Sequence, residues 1–216
     1  MKLIFSIEYK TAWGEEVVLC LDSKRIGLEY VADGLWQGEV SHTALKESLE
    51  YGYEIVREGV TVRKEWGRHV LPKGLSAKTV NVNDRWQDRP ADAPFYSTAF
   101  TKGIFGRGES KGAGACKGIC ITVNAPVVRP DEVLAIAGSG KALDNWNKVI
   151  PFDDSLFPVW TLSLDETEPF MYKLLIADRQ TLAPKAWEDG ENRIMAVIPE
   201  KNACYVEASL EPHFSG

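Results

Sequence analysis

Side chains able to do bond-making chemistry are thinly spread in this 216-residue chain. Two adjacent acid pairs, Asp153–Asp154 and Glu188–Asp189, have the residue types for glycosidic acid–base work, but both lie in polar loops where solvated turn carboxylates are the ordinary outcome. The segment GSGK at 138–141 resembles a phosphate-binding loop only in part. Ala135 stands where the motif needs its first glycine, and Ala142 where it needs the Ser or Thr that holds magnesium, so a turn between strands is expected. The glycines of GIFGRGESKGAGACKG lead into no strand–helix unit, which argues against a dinucleotide site. Cys20, Cys116, Cys120 and Cys204 are scattered, as are His42, His69 and His213, and no second pair matches Cys116 and Cys120 to complete a zinc site. No Ser, Cys or His sits in a nucleophile setting. Neither catalytic group, metal nor cofactor is expected.

Stacking chemistry is better represented. KALDNWNK places Trp146 in a polar, turn-forming loop after the strand-like EVLAIAG, and KAWEDGENR places Trp187 in another. An indole in such a setting either plugs the end of a core or is held out to meet a flat ligand, and composition leaves both open. If the fold brings the two loops together, the rings form a platform. Trp160, in the alternating PVWTLSLD, reads as core.

The elements that must position these rings read as strands throughout. LIFSIEY alternates at period two, and EVVLCL, YEIVREGVTV, ICITV and VEASL are short β-branched or aromatic runs between turn residues. HTALKESLE has helical spacing and could equally be a loop. A net charge of −6 with no basic cluster excludes a nucleic-acid footprint, and MKLIFSIEYK is neither signal peptide nor membrane span. Cysteines in apolar runs favour a reducing cytoplasm.

The chain also repeats itself. Phe5 precedes Glu16 by 11 residues and Ile121 precedes Glu132 by 11; Tyr51 precedes Trp66 by 15 and Tyr172 precedes Trp187 by 15. Trp36 and Trp160 open the strand before each tyrosine. The expected fold class is therefore all-β, two immunoglobulin-like β-sandwich domains in tandem at residues 1–105 and 116–216, joined by a Gly-rich linker at 106–115.

GSGKALDNWN, PVWTLSL, FMYKLLI and WEDGENR, in that order, resemble the starch-binding domain of carbohydrate-binding module family 20 over residues 116–212. The resemblance implies a non-catalytic sandwich that binds α-1,4-glucans. It implies a site in which Trp146 and Trp187 form a two-ring platform while Lys173, Glu188 and Asn192 bond the sugar hydroxyls. The physical logic is sound: the C–H face of a glucose ring packs on indole, and its hydroxyl rim needs donors and acceptors. One departure is Asp144, where the family usually has glycine before the first ring; no clear counterpart of the family's secondary, tyrosine-lined site is present.

The first copy departs further. FSIEYKTAWGEEVVLCL, EYGYEI and EWGRHVLP resemble the same family, but RIGLEY stands at the first ring's loop, so Glu29 or Tyr30 would replace that ring. Gly52 takes the lysine position, Arg68 and His69 the Asn-Arg end, and Trp66 the second ring. This copy is expected to be a spacer, a docking surface or a binder through other residues such as Trp13 and Tyr30. Tandem modules of this kind, with RWQDRPADAPFYSTAF closing the first, resemble the start of 4-α-glucanotransferases of the amylomaltase or disproportionating type. There a glycoside hydrolase family 77 barrel follows, and these 216 residues contain no barrel pattern. The expectation is an α-glucan-binding portion of a longer enzyme, in a cytoplasmic setting, partnered by starch, glycogen or maltodextrin and by the catalytic domain. The alternative is a pair of sandwiches that dock protein through their exposed aromatics.

Overall fold

The structure is a computed structural model, and it describes residues 1–88 and 118–215. The expected linker, residues 106–115, and the end of the first expected domain lie outside the described residues. In the first half the chain forms β1 (Lys2–Glu8), β2 (Glu15–Leu21), β3 (Lys24–Gly27), β4 (Glu29–Ala32), β5 (Leu35–Ser41), β6 (Leu49–Arg57), β7 (Val60–Lys64), β8 (His69–Leu71) and β9 (Thr79–Arg85). In the second it forms β10 (Gly118–Asn124), β11 (Glu132–Gly138), β12 (Ile150–Pro151), β13 (Asp153–Leu156), β14 (Val159–Leu164), β15 (Phe170–Asp178), β16 (Pro184–Trp187), β17 (Arg193–Met195) and β18 (Ala203–Leu210). The one helical turn among the described residues is Lys141–Leu143, and HTALKESLE is loop leading into β6.

Among the described residues, two five-stranded sheets, β3-β2-β6-β7 with β8 on β6 and β12-β11-β15-β16 with β17 on β15, each pack over part of one eight-stranded sheet. That shared sheet runs β13-β14-β10-β18-β9-β1-β5-β4. Alternation explains the first half of it: Leu3, Phe5 and Ile7 point from β1 into one core while their neighbours face outward. Trp36 and Trp160 lie in the two cores, and each donates its indole N–H to a carbonyl just past the first strand of its copy, Tyr9 O at 3.2 Å and Ala125 O at 3.1 Å.

At the centre, β9 and β18, the last strands of the two copies among the described residues, pair in parallel, Val80 opposite Cys204 and Val82 opposite Val206. These four side chains lie together in the first core, joined by Cys120 and Ala208. Tyr205, on the other face of β18, lies in the second core. The two sandwiches thus lie against opposite faces of one continuous sheet, and β18, covered on both sides, is buried at seven of its eight positions. Strands covered on both faces read as unbroken apolar runs, which accounts for ICITV and for most of ACYVEASL.

Candidate functional site

Strands β11 and β16 both run antiparallel to the β15 that lies between them, so they run parallel to each other and their C-terminal ends reach the same edge of the sheet. Trp146 lies in the loop leaving β11, and Trp187 is the last residue of β16. The two strands stand two spacings apart, about 10 Å. The fold therefore carries both loops to one edge.

The 139–149 loop is built to hold its ring. Gly138 leaves β11 where a Cβ would strike the Met171 carbonyl, and Gly140 sits where one would strike the Glu166 carboxylate. That buried carboxylate accepts the backbone N–H groups of Ala142, at 2.6 Å, and Lys141, at 3.1 Å. GSGK is thus a turn, as expected, and its amide donors hold an internal anion rather than a phosphate. Leu143 anchors the turn in the core. Asp144, Asn145 and Trp146 then follow with φ of 49°, 46° and 73°. Asp and Asn tolerate this left-handed region, so Asp144 takes a conformation usually left to glycine. For a tryptophan the same region is strained by about 1–3 kcal/mol. The strain is held by a 2.6 Å hydrogen bond from Trp146 N–H to Gly138 O and by partial packing of the ring on the second core.

Trp187 lies opposite Leu175 and is 44% exposed. Lys173, two residues before the buried Leu175 on the same face of β15, reaches across to donate to Gly190 O at 2.7 Å, which ties the sheet to the loop beyond Trp187. Asn192 is exposed in that loop. Glu188 behaves differently from its expected part as a hydroxyl acceptor. It is buried, and its carboxylate accepts Leu174 N–H at 2.8 Å and a bidentate Arg193 guanidinium at 2.9–3.1 Å. With its own N–H bonded to Leu174 O at 3.0 Å, Glu188 staples the loop to β15 and fixes the residue before it, Trp187.

The other acids have structural partners too: Asp154 pairs with Arg179 at 2.8 Å, Asp153 accepts Ser155 N–H at 3.0 Å, and Asp189 accepts the Ser215 hydroxyl at 2.6 Å. Of the five expected site residues, Trp146, Trp187, Lys173 and Asn192 keep partly or fully exposed side chains. Beyond them on the same sheet, Met171 faces Ile194, both exposed. Sequence reasoning missed Glu166 and Arg193 as the groups that position the rings, because a buried charge in a polar stretch leaves no periodic signal.

The first sandwich corrects three expected correspondences. Glu65 takes the place of Glu188: its N–H bonds Tyr53 O at 3.2 Å and its carboxylate accepts Tyr53 N–H at 2.8 Å, as Glu188 does with Leu174. Lys64, opposite Glu54, therefore matches Trp187, opposite Leu175, and Trp66 matches Asp189. By the same pairing Glu15, not Glu16, matches Glu132, since Leu21 faces Tyr51 where Gly138 faces Tyr172. Nor does Glu29 or Tyr30 replace Trp146. The loop is missing altogether: β2 turns into β3 through Asp22 and Ser23 alone, while Glu29 and Tyr30 lie in β4, on the edge of the shared sheet.

Residues 118–206 match the family model described as a starch binding domain. Residues 118–206 carry a starch-binding domain. The 4-alpha-glucanotransferase DPE2 of Oryza sativa subsp. japonica is 26% identical over 205 residues, covering 79% of this chain, so the likeness extends into the first sandwich. The chain spans 22% of that relative's length. Among solved structures, the family 15 glucoamylase of Hypocrea jecorina is 23% identical over 40% of this chain and 17% of its own, with a TM-score of 0.37. The family 20 module of the maltotetraose-forming amylase of Pseudomonas saccharophila is 16% identical over 42% of this chain and 99% of its own, with a TM-score of 0.34.

Proposed function

We propose that this chain is a non-catalytic α-glucan-binding tandem whose starch-binding domain holds the sugar, and that it anchors a 4-α-glucanotransferase domain to its polymer. The observation that carries the reading is the delivery of Trp146 and Trp187 to one edge of the β11–β15–β16 sheet. Two rings set on separate loops at one edge suit the curved path of an α-glucan better than a flat β-linked ribbon. Lys173 and Asn192 serve the hydroxyl rim from the same edge, and Glu188 serves indirectly by fixing Trp187. With two stacking contacts and few hydrogen bonds, each made in competition with water, affinity falls in the range of about 1 μM to 1 mM. Cysteines set in apolar runs support a reducing, cytoplasmic setting.

Calorimetric titration with maltoheptaose and with cellohexaose tests the linkage preference. Heat from the first alone is expected; equal heats from both, or none from either, contradict the reading. The exposed Met171–Ile194 pair favours protein docking as the second reading, under which neither sugar gives heat.

A further inference from the structure

The seam between the sandwiches contains a buried ionisable cluster that sugar binding does not use. His69, on β8 of the first sandwich, is 1% exposed. Its Nε2 lies 3.0 Å from both oxygens of Glu65, and its Nδ1 lies 3.3 Å from Asp84 Oδ1 and 2.5 Å from Ser209 Oγ. Glu65 also accepts the backbone N–H groups of Tyr53 and Gln87, and Asp84 accepts the hydroxyls of Tyr51, at 2.9 Å, and Tyr53, at 2.6 Å. Every member but one belongs to the first sandwich; Ser209 comes from β18 of the second.

The chain departs from regular pairing in order to place that serine. Between Ile121 and Val123 of β10 the register with β18 slips, since Ile121 faces Glu207 and Val123 faces Leu210. The extra residue is a bulge, and Ser209 lies in it at φ 57°, with its N–H bonded to Thr122 Oγ1 at 2.8 Å. Bulges re-aim side chains, and a non-glycine residue in the left-handed region needs a compensating contact. Here that contact crosses to His69.

We propose that His69 is a proton-operated latch between the two sandwiches: charged, it joins Glu65, Asp84 and Ser209 across the seam, and neutral, it leaves two buried carboxylates without a countercharge and loosens the β9–β18 pairing. A carboxylate that already accepts two backbone N–H groups requires Nε2 to be protonated, so the proton at issue is on Nδ1. When it leaves, the Ser209 hydroxyl can turn to donate to Nδ1, but no other cation among the described residues stands between the acids.

The groups facing the ring are Glu65 from the β7–β8 turn, Asp84 from β9, Tyr51 and Tyr53 from β6 and Ser209 from β18, with Glu211 acting from just beyond β18. Burial pushes His69 down, but Asp84 and then Glu65 outweigh it and hold the imidazolium above its ordinary range. Burial likewise raises Asp84, against the pull of His69 and the two tyrosine hydroxyls. Both folded values lie above the unfolded ones, so both contributions act in one direction. The stability due to His69 is full below about pH 6.5 and is lost as pH rises through the raised value.

Calorimetry of the 216-residue chain tests the latch, with amide exchange in β9 and β18 followed in parallel. The parent should lose about 2–4 °C or more of Tm between pH 6.5 and 9, with exchange in β9 and β18, corrected for intrinsic rates, rising over the same interval. His69→Gln should remove that slope, whereas Ser209→Ala should lower protection in β18 and keep the slope. Should His69→Gln not fold, the His69 ring titration in the parent, followed by NMR, must coincide with the loss of protection. A flat profile in the parent, an unchanged slope in His69→Gln, or a ring titration that does not track protection overturns the proposal.

Discussion

The two sandwiches use one scaffold to present different surfaces. In the second, a buried Glu188–Arg193 pair pins the loop of Trp187 to β15; in the first, a buried Glu65–His69 pair pins the matching loop to β6. Arg193 lies opposite Tyr172 and His69 opposite Tyr51, so the pairs are equivalent by register as well as by chemistry. Outward of those pins nothing matches. Lys64 stands for Trp187, Gly52 for Lys173 and a two-residue turn for the Trp146 loop. What is left in the first sandwich is a hollow of about 340 Å³ lined by Cys20, Gly52, Glu54, Lys64, Gly67 and Arg68. Of the charges at this hollow, Glu54 pairs with Arg25 and Lys64, and Arg68 with Glu50. The buried polar pin is thus common to both sandwiches, and the outward side chains are what differ.

The comparison breaks most easily at the pin. Glu188→Ala strands the Arg193 guanidinium and the Leu174 N–H, and is expected to cost about 3–5 kcal/mol of stability in denaturant unfolding, taking sugar affinity with it. If it unfolds like the parent yet fails to bind, Glu188 is a sugar ligand and its likeness to Glu65 is incidental. Next in size is Trp187→Ala, expected to weaken maltoheptaose binding about thirtyfold, ~2 kcal/mol, with stability nearly unchanged because the ring is 44% exposed. Lys173→Met removes one hydrogen-bond donor at the rim and should cost about three- to tenfold in affinity, in line with ~1 kcal/mol per exchanged hydrogen bond. The smallest effect belongs to Gly52→Lys in the first sandwich. A Cβ there meets nothing closer than 3.8 Å, so stability should change by less than about 0.5 kcal/mol, with no gain of binding where both rings are lacking. A gain measured by calorimetry in a Trp187→Ala background would show that lysine, rather than the rings, distinguishes the two faces.

These residues also show what a sequence makes legible. Tyr51 with Tyr172 and Trp36 with Trp160 stand out because aromatics in alternating runs announce a core, and their pairing marks the repeat. The same prominence misled at Trp66, whose 15-residue spacing copies that of Trp187 although loop lengths differ around the true match at Lys64. Glu65, Glu166 and Glu188 are invisible by pattern: a buried carboxylate in a polar turn looks like a solvated one until its backbone partners are known. The shared sheet was half legible. Continuous apolar strands at 119–123 and 203–210 signal cover on both faces, but the cover comes from the other sandwich, and no local pattern names a distant partner. The loop of Trp146 was readable as a turn from its glycines, while the left-handed run at 144–146 depends on the hydrogen bond to Gly138 O.

The central claim is that Trp146 and Trp187 act together as one platform. Titration with β-cyclodextrin, followed by tryptophan fluorescence in the parent chain, Trp146→Ala and Trp187→Ala, tests it most directly. Saturable quenching in the parent that is lost in both variants is the expected result. Quenching that survives in either variant contradicts the two-ring platform, and a silent parent removes the sugar from the account.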